Sequence, residues 1–113
     1  TGFLPTELGL MKDLYNFRIQ SNRISGSIPT EIGNNFKLQS LYLHENSLTG
    51  TVPTELSELS RLVKFNIHGN DITGSVPDEV CDLRKKKLEL FVSDCDERVR
   101  QVQCECCTSC HAD

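Results

Sequence analysis

Residues 38–53 read LQSLYLHENSLTGTVP, and closely similar stretches lie 24 residues earlier and 24 residues later. Apolar and polar residues alternate around Leu41 and Leu43, Asn46 follows, and the stretch ends at Pro53. Alternation with a period of two residues predicts a short strand with one buried face. A residue before proline is held in extended geometry. The stretch therefore predicts a strand, a turn and an extended return segment.

A period of 24 residues runs through most of the chain. Pro, Gly and Glu each recur at one fixed position of the repeat. These residues are Gly2, Gly26, Gly50 and Gly74; Pro5, Pro29, Pro53 and Pro77; and Glu7, Glu31, Glu55 and Glu79. A repeat of this length and apolar pattern predicts a leucine-rich-repeat solenoid. We expect a right-handed α/β coil with a concave parallel β-sheet and short helical or extended turns on its convex side.

An asparagine recurs at the end of each predicted strand, as Asn22, Asn46 and Asn70. A side-chain amide can both donate and accept hydrogen bonds, so it can satisfy the backbone groups of a turn inside a core. We predict a structural asparagine ladder that links successive coils.

The motif LxGxIP on this period resembles that of plant-type extracellular leucine-rich-repeat proteins. The Cys-rich C-terminal end, from Val80-Cys81 to Cys110, resembles that of secreted leucine-rich-repeat proteins of diatoms. This resemblance implies a secreted protein or a receptor ectodomain that binds a protein or peptide outside the cell and has no enzymatic activity. It also leaves open a structural or adhesive matrix protein, or an inhibitor of secreted hydrolases.

Two regions follow from the pattern. Residues 1–93 form the repeat array, with a partial first copy, three full copies and a degenerate last copy, and residues 94–113 form a Cys-rich cap. A two-residue insertion within 84–87 restores the last copy, because Phe91 then matches Phe65 and Ser93 matches Ile67. The chain opens in the middle of a repeat, so we expect further repeats upstream in the full-length protein.

All six cysteines lie in the last third of the chain. They are Cys81, Cys95, Cys104, Cys106, Cys107 and Cys110. An even number in an extracellular-type chain favours disulfides. A zinc site that includes His111 is the alternative, but structural zinc sites normally use two separate ligand pairs. We expect three disulfides, with Cys81 and Cys95 each bonded to the tail and no bond between Cys106 and Cys107.

Polar residues at the exposed strand positions form columns that should face the concave side. The candidate ligand-binding residues are Arg18, Gln20, Tyr42, His44, Glu45, Lys64, Asn66 and His68. His44, His68 and Asp94 fall in one column, which allows a transition-metal site or a pH switch. We expect two solvated surface histidines instead, with no metal and no cofactor.

Composition excludes several classes of function. The chain has 12 basic and 16 acidic residues, a net charge of −4, which argues against a nucleic-acid partner. No apolar stretch approaches the roughly 18 residues that a membrane span requires. The expected partner is a protein or peptide ligand.

Overall fold

The computed structural model describes residues 2–96, 98 and 101–111 of the 113-residue chain. Short strands dominate this part of the chain. They are β1 (Gly2–Phe3), β2 (Asn16–Arg18), β3 (Ile24–Ser27), β4 (Ser40–Tyr42), β5 (Ser47–Thr49), β6 (Lys64–Asn66), β7 (Gly74–Ser75), β8 (Leu90–Ser93), β9 (Val102–Gln103) and β10 (Ser109–Cys110). The predicted leucine-rich-repeat fold with a parallel sheet is confirmed.

The main sheet has five parallel strands in the order β10-β8-β6-β4-β2. Phe17 lies opposite Leu41, and Leu41 lies opposite Phe65, so these strands are 24 residues apart. Phe65 lies opposite Phe91, which confirms the insertion of two residues in the last copy.

The extended return segments form a second, smaller set of strands at the flank of the coil. Strands β1, β3 and β5 pair in parallel, and β7 pairs with β9. At the start of this flank the φ of Gly26 is +81°, a left-handed conformation that favours glycine, and the Phe3 ring lies against its α-carbon.

The convex side consists of short 3₁₀ helices, each of which begins after a proline of the repeat. They span Thr6–Leu10, Thr30–Asn34 and Thr54–Glu58. In the last copy, α1 (Asp78–Cys81) runs into a further 3₁₀ helix at Asp82–Lys85, and the two-residue insertion follows there. Each proline is the N-cap residue of its helix, in extended geometry, and its carbonyl accepts the first N–H bond, as that of Pro5 does from Leu8 at 3.2 Å.

One continuous core lies between the concave sheet and the convex turns. Leu41, Leu56, Phe65 and Phe91 have no exposed surface, and the Phe65 and Phe91 rings stack with their centroids 4.8 Å apart. The core is thus built from the positions that the repeat pattern marks as apolar.

Two of the three disulfides fasten the C-terminal tail to the end of the repeat array, and the third lies within the tail. They join Cys81 to Cys106, Cys95 to Cys110, and Cys104 to Cys107. Strands β9 and β10 extend the flank and the main sheet, and Val102 enters the core at 2 % exposure. The expected disulfides are confirmed, with Cys81 and Cys95 bonded to the tail.

Within the described part of the chain, no helix has the length and apolar character needed to cross a membrane.

Candidate functional site

The first column of the concave face contains a cation above an aromatic ring. Pairing of β2, β4 and β6 places Arg18, Tyr42 and Asn66 side by side. The Arg18 guanidinium carbon lies 5.0 Å from the centroid of the Tyr42 ring. Such a contact is a cation–π interaction, and it holds an otherwise free arginine over the sheet.

Two histidines lie side by side just beyond the ends of β4 and β6. The Glu45 N–H donates to the His68 carbonyl at 2.9 Å, which continues the ladder of backbone bonds past the strands. The His44 and His68 rings stack with their centroids 5.0 Å apart. The Tyr42 and His44 rings meet edge to face, with 5.6 Å between their centroids. Both histidines are half-buried rather than freely solvated.

A third histidine, which the repeat pattern does not predict in this column, comes from the tail. Pairing of β10 with β8 brings His111 beside the main sheet, and its N–H donates to the Ser93 carbonyl at 2.8 Å. The His111 ring stacks on His68 with 3.9 Å between centroids. Arg18, Tyr42, His44, His68 and His111 thus form one continuous row, which we call the concave ring row.

Asp94 shares the backbone column of the two histidines, as the register predicts, because Asn66 lies opposite Val92 and His68 is therefore level with Asp94; its carboxylate, however, is directed at the turn of the preceding coil. Its side chain is only 3 % exposed. Its carboxylate accepts hydrogen bonds from the backbone N–H groups of Gly69 at 3.0 Å and Asn70 at 3.4 Å. A carboxylate is a strong acceptor for unpaired backbone donors, so Asp94 closes the turn of the preceding coil instead.

Glu45 occupies a turn with unusual backbone geometry beside the two histidines. Its φ is +58°, in the left-handed region, and the equivalent residues Ser21 and Gly69 have φ values of 60° and 69°. Of these three, only glycine adopts this conformation without strain. The Glu45 carboxylate accepts a long hydrogen bond of 3.5 Å from the Ser21 hydroxyl and is otherwise exposed.

The electrostatic environment of His44 favours the neutral imidazole. Burial is the main cause that lowers the pKa of His44, and the neighbouring His68 lowers it further. The Glu45 carboxylate opposes this shift, and His111 adds to it. The His44 Nδ1 atom is buried and has no hydrogen-bond partner among the described residues.

The remaining candidate residues border the concave ring row. Lys64 is exposed on β6, and Asn66 is half-buried and accepts the His68 N–H through Oδ1 at 3.2 Å. The Gln20 side chain is half-buried next to His44 in its column. On β8 the equivalents of Lys64 and Asn66 are Leu90 and Val92, so the polar columns end there.

The asparagines at the strand ends bond as a ladder between coils. Asn70 Nδ2 donates to the carbonyls of Leu43 at 2.9 Å and Ile67 at 3.1 Å, and its Oδ1 accepts the Leu48 N–H at 3.0 Å. Asn46 makes the same three kinds of bond one coil earlier. The ladder fixes the turns that present the concave ring row.

Comparison with known proteins gives consistent matches. The family described as "Leucine rich repeat" matches residues 12–72. The LRR ectodomain of the plant membrane receptor kinase GASSHO1/SCHENGEN3 from Arabidopsis thaliana, in complex with CASPARIAN STRIP INTEGRITY FACTOR 2, is 37 % identical with a TM-score of 0.77. That match covers 82 % of this chain and 11 % of the receptor chain. A search of curated proteins gives no significant match.

Two further structures are similar over most of the chain. The plant peptide hormone receptor RGFR1 in complex with RGF2 is 33 % identical with a TM-score of 0.74, over 82 % of this chain and 14 % of that one. A plant ice-binding protein is 28 % identical with a TM-score of 0.70, over 91 % of this chain and 31 % of that one. The chain therefore spans less than a third of the length of these three structures.

Proposed function

The chain belongs to the leucine-rich-repeat family in its plant extracellular form, and on that premise we propose that it is a non-enzymatic module that binds a protein or peptide outside the cell. The observation that carries the proposal is the concave ring row. It presents a guanidinium, a phenol and imidazoles on one rigid parallel sheet. Tyr and Arg are the residue types that most often anchor interfaces.

The chemistry of this surface indicates what part of a ligand it would contact. Arg18 and Lys64 are exposed cations that flank Tyr42 and Asn66. They would favour a carboxylate of the ligand, either its C-terminus or an acidic side chain. Asn66 and Gln20 offer amides that can bond to an extended peptide backbone. An acidic peptide with an apolar or aromatic residue that packs against Tyr42 would match both the cations and the amides of this surface.

The proposed extracellular location rests on the cysteines. All six are joined in disulfides, so the protein fits an oxidising compartment. No cysteine thiol is left to act as a nucleophile. Receptors of this family crystallised with a ligand support the same function, RGFR1 with RGF2 among them.

Selection from a random-peptide phage library on the immobilised chain tests this proposal. We expect enriched peptides whose affinity falls by at least about 1 kcal/mol, roughly fivefold, in Tyr42→Ala and in Arg18→Ala. Glu58→Ala is the matched control, because Glu58 is exposed on the convex 3₁₀ helix Thr54–Glu58. Thermal unfolding followed by circular dichroism should show that both concave variants remain folded.

The outcomes separate the proposed function from its competitors. Peptides that bind Tyr42→Ala and Arg18→Ala as tightly as the original chain, but lose affinity in Glu58→Ala, would place the interface on the convex side. A matrix protein would instead bind polysaccharide or itself in a pull-down from secreted material. A hydrolase inhibitor would retain a secreted enzyme. Either result without peptide enrichment overturns the proposal.

A further inference from the structure

We propose that His44, His68 and Glu45 bind one divalent transition-metal ion of the zinc class on the concave face. Two imidazoles and one carboxylate are a ligand set that zinc uses in proteins. This metal site is a function separate from the proposed peptide binding, because the ion would bind to the chain in the absence of any peptide.

The three side chains already converge. One potential ligand atom from each of His44, Glu45 and His68 lies within 4.8 Å of the other two. Zinc bonds nitrogen at about 2.0–2.1 Å, so two tetrahedral ligand atoms stand about 3.3 Å apart. The ligand atoms are therefore at most about 1.5 Å farther apart than tetrahedral geometry requires, a gap of the size that small side-chain rotations can close.

The backbone that carries these ligands is fixed from both sides. The Leu43 N–H donates to the Asn66 carbonyl at 2.9 Å, and the Glu45 N–H donates to the His68 carbonyl at 2.9 Å. Asn70 ties the ends of both strands through the carbonyls of Leu43 and Ile67. These bonds hold the segments just beyond β4 and β6 in place, and ligands on a fixed backbone keep their geometry better than ligands on an untethered loop.

The strained turn at Glu45 is a second observation in favour of the site. The next copy has Gly69 at this position, and glycine suits the left-handed backbone that both residues adopt. A glutamate there is unfavourable for the backbone but places a carboxylate next to two imidazoles. Ser21 adopts the same conformation one copy earlier, so the strain belongs to the repeat, and what is particular to Glu45 is the carboxylate that the turn presents to the two histidines.

The histidine rings supply a third observation. The buried His44 Nδ1 has no hydrogen-bond partner among the described residues, and a buried polar atom in that state is destabilising. A metal ion bound by His44 would give the imidazole the polar partner that it lacks. His111 stacks on His68 with only 9° between ring planes, so it acts as a positioning residue that limits rotation of His68.

Isothermal titration of the untagged, disulfide-intact chain with zinc chloride tests the proposal. We expect saturable binding of one ion per chain and a rise in melting temperature that depends on zinc concentration. His44→Phe and His68→Phe keep an aromatic ring in the stack but remove the ligand nitrogens. Each should weaken zinc binding at least about tenfold. The cysteines do not compete for zinc because all six are in disulfides.

Two further variants distinguish ligation from folding. Glu45→Gly should weaken zinc binding severalfold while the melting temperature without zinc stays level or rises, because glycine relieves the left-handed strain. His111→Phe retains the stacked ring and should leave zinc affinity within about twofold to threefold of the original.

Three results would overturn the site. They are the absence of saturable zinc binding, unchanged affinity in His44→Phe, and equal affinity for calcium, which would indicate oxygen ligands only. None of them depends on whether peptides bind. Failure of this proposal is therefore distinguishable from failure of the proposed function.

Discussion

The first and third full coils contain the same repeat but differ in how far it is buried. Phe17 is half-buried in the first coil, whereas Phe65, its equivalent two coils later, has no exposed surface. Asn22 is exposed, whereas Asn70 is 6 % exposed. Because the two coils have the same sequence pattern, the difference in burial comes from their neighbouring coils. The neighbours therefore determine how much each core position contributes to stability, as expected for a solenoid.

The two ends of the array also differ in how their apolar residues are covered. At the C-terminal end, strands β9 and β10 cover the last coil, and two disulfides tie the tail to it. In the first coil Phe3, Leu10 and Tyr15 are 74 %, 76 % and 59 % exposed, while Leu4 is buried at 7 %. Phe3 and Leu10 stand at positions where the next copy has Ser27 and Asn34, so these exposed apolar side chains are particular to the N-terminal end and are not part of the repeat pattern.

The largest expected difference between the coils concerns their aromatic core residues. Phe65→Ala should destabilise the fold by about 3–5 kcal/mol, because it empties a fully packed site beside Phe91. Phe17→Ala should cost about 1 kcal/mol, since this ring is already in partial contact with water. Urea denaturation measures both. Equal losses would show that burial in the third coil does not add to its stability.

The asparagine ladder should show the same gradient on a smaller scale. Asn70→Ala leaves the carbonyl of Ile67 and the N–H of Leu48 without their side-chain partner, at a cost of about 1–3 kcal/mol. Asn22 bonds only within its own turn, to the carbonyls of Ile19 and Gln20, where water can replace it. Asn22→Ala should therefore cost well under about 1 kcal/mol.

Denaturation midpoints of the two asparagine variants, measured alongside Asn46→Ala, check this gradient. Asn46 is half-buried and should fall between the other two. A neutral effect in Asn70→Ala would mean that the ladder does not stabilise the array.

The period of 24 residues was sufficient to predict strands, turns and register wherever the repeat continues. It also located the two-residue insertion, because apolar spacing requires Phe91 to lie beside Phe65. It placed Asp94 level with His68, but it did not indicate that the carboxylate bonds to the backbone of the neighbouring turn, and it gave no position for His111. The position of His111 depends on the path of the tail, which has no periodicity and meets the main sheet where β10 pairs with β8. Whether the concave residues bind a ligand remains a prediction, since burial and spacing do not specify a partner.

The smallest expected effect lies at the open end, in the ion pair between Lys37 and Asp13. Their atoms Nζ and Oδ1 are 2.8 Å apart, and the two side chains are 38 % and 91 % exposed. The hydrogen bond from Lys37, followed by the charge of Lys37, lowers the pKa of Asp13 below its usual value. Such a carboxylate stabilises the fold above its unfolded-state pKa, and this contribution is lost as the pH falls through the lower folded-state value.

Lys37→Met should therefore return the pKa of Asp13 to its ordinary range, as followed by carboxyl NMR shifts between pH 2 and pH 6. The denaturation midpoint at pH 7 should hardly change, because water screens an exposed pair and ordering two long side chains offsets the attraction. A loss as large as that of Asn70→Ala would show that the first coil is held together by its surface charges. That result would weaken the argument that burial by neighbouring coils, rather than local contacts, sets the stability of each repeat.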